Sequence, residues 1–219
     1  MDLLVTGGNG FIGREVCRRA VAAGDDVTSV GRSGRPDPEH RGPWAAEVTW
    51  VAADVFEPHR WREHLGGVDA VVHCVGIARE RPNQGATFER VNGDAAILVA
   101  LEAERAGADR FVFLSSSVSP PLVRDEYVRS KRRAEAAVAD LDVETGVVRP
   151  GPVYGPDQPH FPRPVAAALR FVDGRETLAR QFEDDRPLSV ETVGRAIYDA
   201  ARGDAPAMLD AIAMHERYG

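Results

Sequence analysis

Apolar residues are arranged along this chain in two alternating styles. Short runs bounded by Gly, Asp or Pro read as buried strands: Leu3-Leu4-Val5, Val27-Thr28-Ser29-Val30, residues 48–52, Asp69-Ala70-Val71-Val72-His73-Cys74-Val75, Arg110-Phe111-Val112-Phe113-Leu114 and residues 143–148. Between them lie stretches with helical spacing. One begins at Phe11 and continues through Val16, Ala20 and Val21. Another spans 89–106 and is closed by Gly107-Ala108-Asp109. A third carries Tyr127, Ala134, Ala137, Val138 and Leu141. Strands that are apolar throughout, alternating with amphipathic helices, predict a parallel sheet covered by helices on both faces, an α/β doubly wound fold. A helix is also expected from near Pro58. Residues 34–46, rich in Gly, Pro and charge, read as a surface loop.

The connection after the first strand carries the first chemical signal. Thr6-Gly7-Gly8-Asn9-Gly10-Phe11-Ile12-Gly13 joins a strand to a helix, the setting in which a glycine-rich turn cradles a dinucleotide. Gly7 permits the tight turn, Gly10 admits a pyrophosphate to the backbone, and Gly13 lets the helix approach the strand. The free amides at the helix start would face the phosphates. The candidate cofactor-binding residues here are Gly7, Asn9, Gly10, Phe11, Ile12 and Gly13, in a Rossmann-like fold. The second strand ends in Gly31-Arg32-Ser33. An NAD-preferring site usually has a carboxylate there to bond the ribose 2′-hydroxyl. Arg32 instead can pair with a 2′-phosphate, so NADP(H) is expected over NAD(H), with NAD(H) still admissible. A solvated Arg32, or one stacked on the adenine, is the competing reading.

Composition narrows the field. The chain has 219 residues, enough for a single domain over 1–219, and 43% are hydrophobic. A net charge of −7 argues against a nucleic-acid partner. No apolar run reaches membrane length, and strand chemistry begins at Asp2, leaving no room for a signal peptide. Cys17 and Cys74, in an apolar helix and an apolar strand, read as reduced thiols in a cytoplasmic protein. His73 has no nearby Cys or spaced His, so no metal site is expected, and a core histidine is the better reading.

The spacing G-x-x-G-x-x-G after Thr6 resembles the short-chain dehydrogenase/reductase superfamily, in its extended and atypical NAD(P)-binding branch. Further segments resemble it in the same order. By that resemblance, Asp54 contacts the adenine and Val55 lines it, while a turn-forming Asp54 remains the alternative. Val71-Val72-His73-Cys74-Val75-Gly76 resembles the family's VxHxAG, placing Cys74, Val75 and Gly76 at the cofactor. Val91-Asn92-Gly93 resembles VNxxG, whose Asn is structural. Arg149-Pro150-Gly151-Pro152-Val153-Tyr154-Gly155-Pro156 resembles RPGNVYGP, so Pro150, Gly151 and Val153 would run beside the nicotinamide. Pro152 replaces an Asn that holds substrate in sugar-nucleotide epimerases, and proline has no amide to offer.

The same order brings Ser115-Ser116-Ser117 at the end of the fifth strand and Tyr127-Val128-Arg129-Ser130-Lys131 on the next helix. Tyr127 and Lys131, four apart, share a helix face. Hydride transfer at a carbonyl carbon needs a proton donor or acceptor at the oxygen. A phenol with a pKa of about 10 serves near neutrality only if a neighbouring ammonium and the positive nicotinamide ring lower it. The expected catalytic set is Ser117, Tyr127 and Lys131, with Lys131 also holding the nicotinamide ribose and Ser115 beside the cofactor. Ser117 aligns best with the family's serine, with one residue of ambiguity in the triple serine.

Only nine residues, Pro120-Pro121 among them, separate Ser117 from Tyr127. This shortness, with Tyr127, Ser130, Lys131, Ala134 and Glu135, resembles atypical members akin to a complex I accessory subunit. Residues 157–186 read as a small substrate-facing cap. There Phe161, Leu169 and Phe171 with Arg163 and Arg170 would suit an apolar or amphipathic anionic ligand; a small lid with a solvated basic edge is the alternative. Pro187 to Val193 resembles the segment that returns the family's chain to its core. Ser189 or Thr192 can cap the helix through Ala201, and a last helix is expected over about 206–217.

Three functions follow as expectations. The leading one is an NADP(H)-dependent oxidoreductase acting on a small carbonyl or alcohol. The others are a cofactor-binding scaffold or respiratory-complex assembly factor, and a nucleotide-sugar epimerase or dehydratase, which Pro152 and the small cap disfavour. The family's dimers form through the helices after strands four and five, so the resemblance allows a homodimer.

Overall fold

The structure, a computed structural model, describes residues 1–117, 125–159, 162–175 and 185–219. Strand β1, Asp2–Thr6, lies inside the sheet, with Leu3 to Thr6 buried. Leu3 and Val5 join one core layer and Leu4 the other. Around it run β2 (Asp26–Gly31), β3 (Val48–Ala52), β4 (Ala70–His73), β5 (Arg110–Leu114) and β6 (Glu144–Val148). Every neighbour is parallel, and Leu3 pairs with Val27 on one side and Ala70 on the other. The order β3-β2-β1-β4-β5-β6 is completed by a short strand from the C-terminal end, Met208–Leu209. The strand order reverses between β1 and β4, which opens a crevice at their carboxyl ends, the usual ligand position in such sheets.

Helix α1, Phe11–Ala22, covers one face of the sheet. On the other lie α2 (Ala95–Ala106) and α3 (Glu126–Ala139), whose Ala96, Val99, Ala134 and Val138 pack on Phe111 and Phe113. After β6, the two-residue strands β7 (Val153–Tyr154) and β8 (Leu188–Ser189) form a parallel ribbon, with α4 (Arg163–Asp173) between them in sequence. Helix α5, Val190–Arg202, lies beside α1 and begins at Ser189, whose Oγ accepts from Thr192 N at 3.0 Å. The chain ends with β9, the Met208–Leu209 strand, and α6, Ala211–Tyr218.

Three sequence expectations are revised. The last helix starts at Ala211, not near 206, because residues 208–209 pair with β6 and Asp210 caps α6 through Ala213 N at 2.8 Å. In place of a helix from Pro58, two 3₁₀ turns occur, Pro58–Arg60 and Arg62–Leu65. The helix at 89–106 opens with a π-helical stretch, Glu89–Asp94, before α2. The expected cap is described only in part. Phe161, the side chain of Arg163 and the Pro120-Pro121 stretch lie outside the described residues.

Candidate active site

The glycine turn is shaped by contacts that leave no space for side chains. Gly7 has φ +79°, and a Cβ there would sit 3.0 Å from Val75 N, across the crevice on the β4 exit. A Cβ at Gly13 would stand 2.2 Å from Gly7 O. Gly8, to which the sequence reading gave no role, is equally confined: its Cβ would meet Ser29 Oγ at 2.4 Å and Cys17 Sγ at 2.7 Å. Gly10, at the N-cap of α1, is exposed, although a Cβ there would lie 3.2 Å from Gly7 O; it offers no side-chain cap, and the first turn holds no acidic residue. The first amides of α1 therefore remain able to take an anion, as a diphosphate requires. Phe11 and Ile12 are half-buried, and the Phe11 ring reaches toward Gly155.

At the end of β2, Asn9 Nδ2 donates to Ser33 Oγ at 2.7 Å, and the Asn9 amide lies against Gly31. Arg32 is exposed on the rim beside them. Asp54 Oδ1 accepts from Phe56 N at 3.0 Å, a turn closure of its own, next to the buried Val55. These residues border one edge of the crevice and could hold an adenosine end.

On the other side the β4 exit, α2 and α3 converge. A Cβ at Gly76 would lie 3.3 Å from Asn92 Oδ1 and 3.9 Å from Lys131 Nζ. Asn92 grips the backbone of Ile77 twice, accepting from its N at 2.7 Å and donating to its O at 3.0 Å, the structural part expected of it. His73 is buried between Phe111 and Phe113, its Nδ1 2.8 Å from Thr6 Oγ1. Burial, followed by the nearby Lys131 charge, lowers its pKa to about 3, so it is a neutral core residue. Burial likewise pushes the Cys74 thiol up to about 12.

Lys131 is 4% exposed, with Nζ donating to Leu114 O at 2.8 Å. Burial lowers its pKa to about 8, while the charge of Glu135 acts the other way. The ammonium lies 5.7 Å from the centre of the Tyr127 ring, and Phe88 meets that ring edge-on at 5.5 Å between centroids. The Tyr127 phenol titrates above its ordinary value because it is buried, and a hydrogen bond with Ser116 acts against that rise. The expected lowering by the ammonium is therefore not what the chain alone produces: desolvation dominates, only Ser116 opposes it, and Lys131 spends a proton on Leu114 O.

The three serines are separated by their partners. Ser115 Oγ hydrogen-bonds Glu135 Oε1, and Arg132 Nη1 donates to that hydroxyl at 3.2 Å. Ser116 meets Tyr127. Ser117 Oγ donates to Pro150 O at 3.0 Å. The structure thus brings Tyr127, Lys131 and Ser116 together, and directs the hydroxyls of Ser115 and Ser117 to other partners. Pro150 and Gly151 are buried and Val153 half-buried on the segment after β6; a Cβ on Gly151 would meet Arg186 O at 2.4 Å.

Sequence reasoning missed the anchor behind the serines. Glu135 accepts from Arg132 Nη1 at 2.7 Å and from Arg149 Nε at 3.0 Å, and is 7% exposed. Its signal was present in the spacing: positions 127, 131 and 135 recur on one helix face.

Known proteins agree with this architecture. The profile of the NAD dependent epimerase/dehydratase family matches residues 3–181. MIOREX complex component 2 of Saccharomyces cerevisiae is 31% identical over 197 residues, covering 68% of this chain and 71% of that protein. A ceramide reductase of Caulobacter vibrioides is 34% identical over 69% of this chain and 46% of its own length. A 2-alkyl-3-oxoalkanoate reductase of Shewanella oneidensis is 28% identical over 74% of this chain and 47% of its own. The chain thus spans about half the length of the two reductases. Among solved structures, MoeE5 in complex with UDP-glucuronic acid and NAD superposes with a TM-score of 0.67 at 22% identity, over 92% of this chain and 72% of that one.

Proposed function

This chain belongs to the NAD dependent epimerase/dehydratase family, and on that premise we propose that it is an NADP(H)-preferring oxidoreductase acting on a carbonyl compound that carries an alkyl chain. The observation that carries the reading is the meeting of Tyr127, Ser116 and Lys131 beside the crevice between β1 and β4. The two reductase relatives support reduction, and their names support an alkyl-bearing substrate. NADP(H) preference rests on Arg32 and on the lack of a carboxylate at 31–33.

In this reading the residues of the glycine turn, Gly7 to Gly13, hold the diphosphate, with Asn9, Arg32, Asp54 and Val55 at the adenosine end. Cys74, Val75, Gly76, Pro150, Gly151 and Val153 flank the nicotinamide end. A bound nicotinamide dinucleotide supplies the hydride. Ser116 donates a hydrogen bond to the substrate oxygen, taking the place expected of Ser117. Tyr127 gives its phenolic proton to that oxygen as the carbon is reduced, so the product is an alcohol and a tyrosinate that solvent reprotonates. Burial keeps Tyr127 protonated at neutral pH, the form an acid must have. Lys131 is largely protonated below a pKa of about 8, so it can steady the tyrosinate and bond ribose hydroxyls.

The test is NADPH oxidation across 3-oxoacyl compounds and long-chain ketones, with Tyr127→Phe as control. Turnover that falls about 10²- to 10⁴-fold in the variant, with cofactor affinity kept, is the expected result. Full activity in Tyr127→Phe would overturn the assignment. The yeast relative favours a second reading, a cofactor-stabilised scaffold in a larger assembly; it predicts no turnover on the panel and a stoichiometric protein partner on purification. A melting shift with a UDP-sugar would instead support sugar-nucleotide chemistry.

A further inference from the structure

The buried carboxylate of Glu135 joins three parts of the molecule that must agree for the site to work. It lies on α3, one turn beyond Lys131 and two beyond Tyr127. From the end of β5 it receives Ser115 Oγ, and from the end of β6 it receives Arg149 through Nε at 3.0 Å and through Nη2. On its own helix it receives Arg132 Nη1 at 2.7 Å. Arg132 then carries the contact onward, with Nη2 donating to Ser116 O at 2.8 Å and Ser117 O at 3.3 Å. Ser117 is fastened a second time, its N and Oγ donating to Pro150 O at 2.9 and 3.0 Å. The ends of β5 and β6 are therefore both tied, directly or through one arginine, to one carboxylate on α3.

We propose that Glu135 is a positioning residue: with Arg132 and Arg149 it clamps the serine turn at the end of β5, so that Ser116 is the serine whose hydroxyl meets Tyr127. A buried ion pair is weak evidence for stability, because desolvation of the charges offsets their attraction. Its planar, multiply bonded geometry does fix direction, and two guanidinium groups supply that here. The carboxylate has an electrostatic effect as well. The charged and titratable groups around Lys131 are Tyr127, Glu135 and Arg132 on α3 and Cys74 and His73 on β4 and its exit. Glu135 is the carboxylate among them, and it raises the lysine's proton affinity against the burial that lowers it.

The proposal rests on the assignment of Tyr127 as the proton donor, but its test needs no substrate. The phenolate absorbance of the wild type minus that of Tyr127→Phe isolates the titration of Tyr127. In Glu135→Gln the serine turn loses its clamp, and with it goes the Ser116 hydrogen bond that holds the Tyr127 midpoint down. The Tyr127 midpoint is expected to rise by about one pH unit. Ser115→Ala, which keeps the carboxylate and both arginines, should give a smaller rise. Arg132→Lys keeps the charge but cannot span Glu135 and the serine carbonyls together. It should also raise the midpoint, and it carries the test if Glu135→Gln does not fold. A Tyr127 titration that coincides with wild type in folded Glu135→Gln, or in Arg132→Lys if the former does not fold, would overturn the proposal and leave an ion pair that only holds α3 to the sheet. Failure to find any NADPH-linked turnover would count against the function proposed above without moving this titration.

Discussion

Around Tyr127 the polar groups are buried and tied to several elements, whereas helix α4 shows solvent much of its apolar surface. Lys131, Glu135, Ser115 and Ser116 are each under a tenth exposed. On α4, Phe171 is 53% and Val165 41% exposed, and the Arg175 guanidinium lies over the Phe171 ring at 3.5 Å from its centre. The described anchors of α4 run to the ribbon: the Tyr154 hydroxyl donates to Asp173 Oδ2, and Arg170 lies over the Tyr154 ring at 5.9 Å. The two regions obey different rules. The floor of the crevice is specified by contacts with no tolerance, as cofactor geometry demands. Helix α4 is specified chiefly by its amphipathic pattern and by its contacts with the β7–β8 ribbon.

The strongest way to break this contrast is to add a side chain to the floor. Gly13→Val places its Cβ 2.2 Å from a backbone carbonyl, so the turn must move. The expected cost is at least about 3 kcal/mol of stability, together with loss of cofactor binding. A thermal melt and an NADPH titration check it, and a variant that melts with the wild type would show that the turn is pliant.

Next comes the rim. Arg32→Ala should weaken NADPH about 10-fold or more and leave NADH unchanged, as expected for loss of a charge-assisted contact to phosphate. Equal losses for both cofactors would place Arg32 on the adenine instead.

Lys131 offers a smaller, pH-resolved effect. Folding lowers its pKa from 10.5 to about 8, so between those values the unfolded chain holds the proton more tightly. Its burial therefore costs stability at and below pH 8, and that cost is relieved as pH rises toward 10.5. Wild type should gain stability relative to Lys131→Met across this window, and a constant difference would contradict the buried ammonium. The least effect belongs to α4. Phe171→Ser should change stability by no more than about 0.5 kcal/mol, yet raise KM for an alkyl-bearing carbonyl. A large loss of stability would make α4 part of the core.

Much of the floor was legible in the sequence because it depends on local pattern. The apolar runs mark the first six strands, and the glycine turn marks the crevice. The spacing of Tyr127 and Lys131 marks a shared helix face. What was not legible depends on partners distant along the chain. Three consecutive serines look alike in sequence and differ only in what faces them: Glu135, Tyr127 or Pro150 O. The strand Met208–Leu209 is two residues long, and β6 rather than any periodicity defines it. The raised Tyr127 pKa comes from burial beside Phe88, which no i, i+4 rule can show.

Parallel fluorescence titrations of the protein with NADPH and with NADH test the central claim most directly. The account predicts saturable binding of both, with NADPH tighter by about 10-fold, the difference that one added charge-assisted contact supplies. Binding of neither would contradict the reading of the glycine turn as a cofactor site, and preference for NADH would contradict the reading of Arg32.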